Sequence, residues 1–110
     1  MPLKIILGLS LLIVSTTVLA TKNTSTGTIT KIYAYDDYGN GDVLIEFSTN
    51  LDECPTGVYL DAESPGFKTL TSFALTAYTS GKNVSFQVYE ERIWGGSSMP
   101  RCEVDTIILN

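Results

Sequence analysis

The sequence predicts an all-β domain with one helix, folded as a five-stranded Greek-key barrel in the chain order β-β-β-α-β-β. Three observations predict it. Short runs rich in β-branched and aromatic residues recur between Gly, Asn and Asp breaks. One segment only, around Leu70, changes from a period of two to a period near 3.6. Two cysteines, Cys54 and Cys102, stand far apart in a chain too short to bury a large core.

The opening "MPLKIILGLSLLIVSTTVLA" lies outside that pattern. Lys4 supplies a positive start, Ile5 to Val14 an apolar centre, and Val18-Leu19-Ala20 the small residues of a cleavage site. The apolar run is short for a membrane span, which needs about 20 residues. Residues 1–20 are expected to be a signal peptide and residues 21–110 a single domain, secreted or periplasmic, with no stable membrane insertion. In an oxidising compartment two cysteines read as one disulfide, Cys54 with Cys102, which supports a domain of this size.

After the polar leader "TKNTST", the run "GTITKIYAY" (Gly27–Tyr35) predicts the first strand, and "VLIEFS" (Val43–Ser48) the second, with Val43, Ile45 and Phe47 alternating. Between them "DDYGNGD" holds an Asn-Gly pair, a hairpin signal because both residues accept positive φ. A short run "VYLD" (Val58–Asp61) is the third strand. Leu70, Phe73, Ala74, Ala77 and Tyr78 then fall on one helical stripe, with Ser64 as N-cap, Pro65 at the first position and Gly81 at the end. Thr69, Thr71, Thr76 and Thr79 lower its intrinsic propensity, so packing on a sheet must hold it. "NVSFQVYEE" (Asn83–Glu91) and "CEVDTIIL" (Cys102–Leu109) complete the strands. This order fits the OB-fold; an open α+β sheet carrying the helix is the alternative.

The stretches "KTLTSFALTAYTSGKNVSFQVY" and "CEVDTIIL" resemble small exported bacterial OB-fold proteins, in particular the B subunits of AB-type pentameric toxins. The shared features are a signal peptide, a central helix ending in Ser-Gly-Lys, an alternating strand after it and one disulfide. The resemblance implies a homo-oligomeric ring that binds cell-surface glycans. The position of Cys54 after the second strand departs from the familiar enterotoxin pattern, so fold and binding are carried over and toxin activity is not.

Composition excludes other classes. The chain has 7 basic and 12 acidic residues; without Lys4 it has 6 against 12, a net charge of −6. That sign opposes nucleic-acid binding, which rests on phosphate neutralisation by Lys and Arg. No histidine is present, which removes the commonest general base, and the acidic pairs Asp36-Asp37, Asp52-Glu53 and Glu90-Glu91 are chain neighbours that point apart on strands. No enzyme and no cofactor are expected. Asp36 does not start a calcium loop, because Tyr38 and Phe47 stand where ligands are needed; Asp36, Asp37 and Asp42 read as solvated hairpin residues, and no metal site is expected. Asn23 and Asn83 match the glycosylation sequon, which carries no meaning in a bacterial host.

The one tryptophan, Trp94, lies in "RIWGGSSMPRC" between the last two strands. In an OB-fold this loop and the Tyr35–Asn40 loop border the usual ligand face. Trp94, Tyr38 and Asp36 can form a sugar-binding set, with Arg92 or Arg101 pairing with an acidic sugar such as sialic acid. Trp94 can equally close one end of the domain as core, or lie at a subunit interface. The leading expectation is a non-catalytic carbohydrate-binding module; the alternative is an exported inhibitor or accessory protein that binds another protein.

Overall fold

The computed structural model describes residues 20–110; apart from Ala20, the expected signal peptide lies outside them. The described chain runs β1 (Lys22–Asn23), β2 (Ile29–Ala34), β3 (Val43–Phe47), β4 (Gly57–Leu60), α1 (Phe67–Ser80), β5 (Val84–Ile93) and β6 (Arg101–Leu109). The strands form one mixed sheet in the order β1-β5-β6-β4-β3-β2. Every neighbouring pair is antiparallel except β4 and β6, which are parallel. The mostly-β chain with one helix is as expected, but two details differ. The sheet is not closed as a barrel, since β1 and β2 sit at its opposite edges, and it has six strands where the sequence predicts five.

The extra strand comes from the polar leader. Lys22 and Asn23 lie against Val88 and Gln87 of β5, and the Thr24 amide donates to the Phe86 carbonyl at 2.8 Å. The Phe86 amide in turn donates to Thr24 Oγ1 at 2.9 Å. An edge strand needs main-chain groups facing its partner, which a polar sequence supplies without any hydrophobic pattern.

One face of the sheet and α1 enclose the main core. Val43, Ile45 and Phe47 point into it as their alternation predicts, meeting Val58, Leu60, Val84, Phe86, Val88 and Val104. Phe47 and Phe86 pack edge to face, with ring centroids 4.8 Å apart. The Cys54–Cys102 disulfide forms, is buried, and spans 48 residues of chain. Closing a loop of that length contributes about 4 kcal/mol in the chain-entropy picture.

The helix is rotated and shortened relative to expectation. Its buried stripe is Phe67, Leu70, Ala74 and Ala77; Phe73 and Tyr78 are exposed. The two fully buried positions are alanines, which let the helix axis approach the sheet closely. Its N-cap is Gly66 without a side-chain cap, because Ser64 and Pro65 form a preceding turn in which Ser64 O accepts from the Phe67 amide at 3.1 Å. At the other end Gly81 is left-handed, as expected. The threonines bond back to carbonyls four residues earlier: Thr71 to Phe67, Thr76 to Ser72, and Thr79 to Leu75. These bonds satisfy their hydroxyls within a segment of weak helix propensity.

Candidate functional site

The sheet face opposite α1 carries a second, aromatic cluster. By register, Tyr33 of β2, Leu44 of β3, Tyr59 of β4, Glu103 of β6 and Tyr89 of β5 form one row across five strands. Leu44, Tyr59 and Trp94 are buried against each other, with Tyr33 packed at the side.

Trp94 leaves β5 and turns onto this row. Its amide donates to the Arg101 carbonyl at 2.9 Å, and its indole Nε1 donates to Asp42 Oδ2 at 3.1 Å. The other carboxylate oxygen of Asp42 accepts from the Ala62 amide at 2.8 Å. Asp42 is therefore buried and ties three connections together: the end of the β2–β3 loop, the β4–α1 loop and the β5–β6 loop. This corrects the expectation of a solvated hairpin residue. Nothing in the local sequence marked it, because its partners lie 20 and 52 positions away.

The β2–β3 connection supplies the other half of the site. The Asn-Gly pair does take positive φ, but within a wider loop with a 3-10 turn at Tyr38–Gly41, where Gly39, Asn40 and Gly41 all have positive φ. Gly39 lies so close to the indole that a Cβ there would stand 2.4 Å from Cζ2 of Trp94. Gly96, on the second loop, is equally close. The Tyr38 hydroxyl donates to the Gly96 carbonyl and latches the two loops together.

The resulting surface is an aromatic platform with a polar rim. Tyr35 lies nearly parallel to Trp94 (8°, centroids 6.5 Å apart), and Tyr38 stands edge-on to both. Tyr35 is 40% exposed and Tyr38 58%, whereas Trp94 is only 5% exposed. Beside them opens a shallow concavity of about 400 Å³ lined by Asn40, Asp42, Tyr59, Asp61 and the Trp94–Gly96 segment. Asn40 Nδ2 donates to Glu63 Oε1 across its rim at 3.1 Å. Burial, with Glu103, Asp61 and Asp42 nearby, pushes the Tyr59 phenol up to about 12.

Of the expected set, Trp94, Tyr38 and Arg101 come together, and Asp36 is exposed on the same loop as Tyr38. Arg92 does not join them. The register jump between Tyr89 and Ile93 bulges Glu90, Glu91 and Arg92 out of the β5–β6 pairing. Arg92 then pairs with Glu103 at 2.7 Å and lies 4.2 Å above the Tyr89 ring. It faces a separate cleft of about 490 Å³ at the start of α1, with Ser64, Thr69 and Asp105. Tyr33, Tyr59 and Asp42 were not foreseen in the site; the period-two alternation of β2 and β4 was the one signal that put Tyr33 and Tyr59 on a common face.

Among the described residues no cluster of three or more His, Cys, Asp or Glu side chains is arranged to hold a metal ion, and no helix is long and apolar enough to cross a membrane. The chain matches no family model, no curated protein and no solved structure.

Proposed function

We propose that this protein is an exported, non-catalytic binding module built on an OB-like Greek-key sheet, with carbohydrate as its ligand. The strand order supports the OB-like layout. β1 and β2 follow each other within Lys22–Ala34 and hold the two edges of the sheet, so they read as halves of one bent strand. At the bend, Gly27 exchanges main-chain bonds with Val84 at one edge, while Thr28 accepts from the Ser48 amide at the other. The parallel β4–β6 pair and the helix between β4 and β5 belong to the same Greek-key layout. Export is supported by the signal-like residues 1–20 and by a disulfide that fits an oxidising compartment.

The observation that carries the ligand class is the exposed pair Tyr35 and Tyr38, braced from behind by buried Trp94 and edged by Asp36, Asn40 and Glu63. Aromatic rings offer an apolar face to the C–H face of a sugar, and amides and carboxylates take its hydroxyls. Because Trp94 supports the site rather than touching solvent, the informative variant is Tyr35→Ala. A glycan array of the exported, oxidised protein should show specific binding that Tyr35→Ala abolishes without loss of the folded state. Flat signals from a folded sample would sink the carbohydrate reading.

A second reading has its own observation. Helix α1 leaves Phe73, Leu75 and Tyr78 exposed on its outer surface. That surface favours a protein ligand, as an inhibitor or accessory protein would have, or a second copy in a homo-oligomer. Sedimentation of the purified protein separates the homo-oligomer from a monomer.

A further inference from the structure

We infer that Arg101 is the receptor for a carboxylate on that carbohydrate, so that the ligand is a sugar acid; the inference rests on the carbohydrate reading and names its chemistry. Arg101 opens β6, is 5% exposed, and belongs to none of the ion pairs among the described residues. Its guanidinium carbon lies 5.8 Å from the Tyr33 ring centroid and 5.8 Å from that of Trp94, so aromatic faces flank the charge. Its Nε is enclosed and has no hydrogen-bond partner among the described residues. Nη1 and Nη2 are not among the enclosed unpaired atoms, and they are the proposed donors to the ligand.

A buried guanidinium without an anion is an expensive feature, and cation–π contacts offset its desolvation only in part. Three carboxylates of the sheet and its loops are committed elsewhere. Asp42 accepts from Trp94 and Ala62, Glu103 pairs with Arg92, and Glu46 accepts from the Tyr33 hydroxyl at 3.3 Å. The position beside Arg101 on β4 is Gly57, which has no side chain to cover the charge.

The geometry favours a planar monoanion. A guanidinium fork matches a carboxylate through two parallel bonds. The same three protein carboxylates would repel a phosphate dianion more strongly than a singly charged group. Tyr35, Tyr38 and Arg101 all pack around the Trp94 ring, so a ligand with a ring and a carboxylate would use both features.

The test titrates the exported, oxidised protein with methyl glucuronide and with methyl glucoside, following the Arg101 Nε–H resonance and the tyrosine rings by NMR. The glucuronide is expected to bind at least about tenfold more tightly, as one charge-assisted bond to a ligand implies, and to shift the Nε–H. Arg101→Met should remove the preference while keeping the weak glucoside affinity, and Arg101→Lys should restore it in part; Arg101→Lys guards against a variant that fails to fold. Equal affinities, or a preference surviving in Arg101→Met, would overturn the inference and leave the carbohydrate reading standing. No binding of either sugar, with flat glycan-array signals, would overturn both. A Nε–H shift that follows protein concentration instead of added sugar would overturn it in favour of a carboxylate from a second copy.

Discussion

Trp94 and Asp42, 52 residues apart in the chain, meet in a buried hydrogen bond of 3.1 Å that joins the β5–β6 loop to the foot of β3. The pair turns two otherwise independent loops into one surface. It also resolves the place of the only tryptophan: its ring is buried structural support, and its neighbours Tyr35 and Tyr38 are exposed.

Replacing Trp94 should therefore act on stability. Trp94→Phe leaves Asp42 Oδ2 without its donor and vacates part of the space between Gly39 and Gly96. Losing one partner of a buried polar group costs about 1–3 kcal/mol, and the volume lost adds to it. Urea unfolding followed by circular dichroism should show a destabilisation of about 2–4 kcal/mol. A change below about 0.5 kcal/mol, the range of ordinary surface substitutions, would mean that the indole is not a support.

The three glycines around the indole should behave differently. A Cβ at Gly39 would stand 2.4 Å, and one at Gly96 2.3 Å, from the Trp94 ring, and Gly39 also has φ +61°. A Cβ at Gly95 meets nothing within 4 Å. Gly39→Ala and Gly96→Ala should each lower stability by about 1–3 kcal/mol through overpacking, and Gly95→Ala should be near neutral. Equal effects at all three positions would show that the ring does not occupy this slot.

Tyr59 makes a pH signature. Its phenol is raised from 10.0 to about 12, by burial first and then by Glu103, Asp61 and Asp42. The unfolded chain releases this proton near pH 10 while the folded protein still holds it, so the stabilisation is complete below pH 10 and is lost as pH rises to about 12. A shift of that size corresponds to about 2–3 kcal/mol. The difference between the protein and Tyr59→Phe, measured by denaturant melts from pH 9 to pH 12, should change by that order. Parallel curves would show that Tyr59 is not held in its neutral form by the fold.

Much of the framework is legible in the chain. The alternation of Val43, Ile45 and Phe47 names one face of β3, Gly81 ends the helix, and two cysteines permit one intrachain bridge. These are local or combinatorial signals, and periodicity carries them. β1 was illegible because edge pairing through Lys22 and Asn23 uses the backbone, which every sequence has.

The site divides the same way. The sequence by itself determined that aromatic and acidic residues gather in the two loops around Tyr38 and Trp94, because turn residues and strand ends locate those loops. Only the tertiary structure decided that Trp94 is covered, that Asp42 is its partner, that Arg92 leaves through a bulge and that Arg101 is buried with no ion-pair partner among the described residues. Each of those outcomes depends on strand register and on contacts between residues many positions apart. A one-residue change of register moves a side chain to the opposite face, and no local pattern in β5 or β6 encodes where the bulge falls.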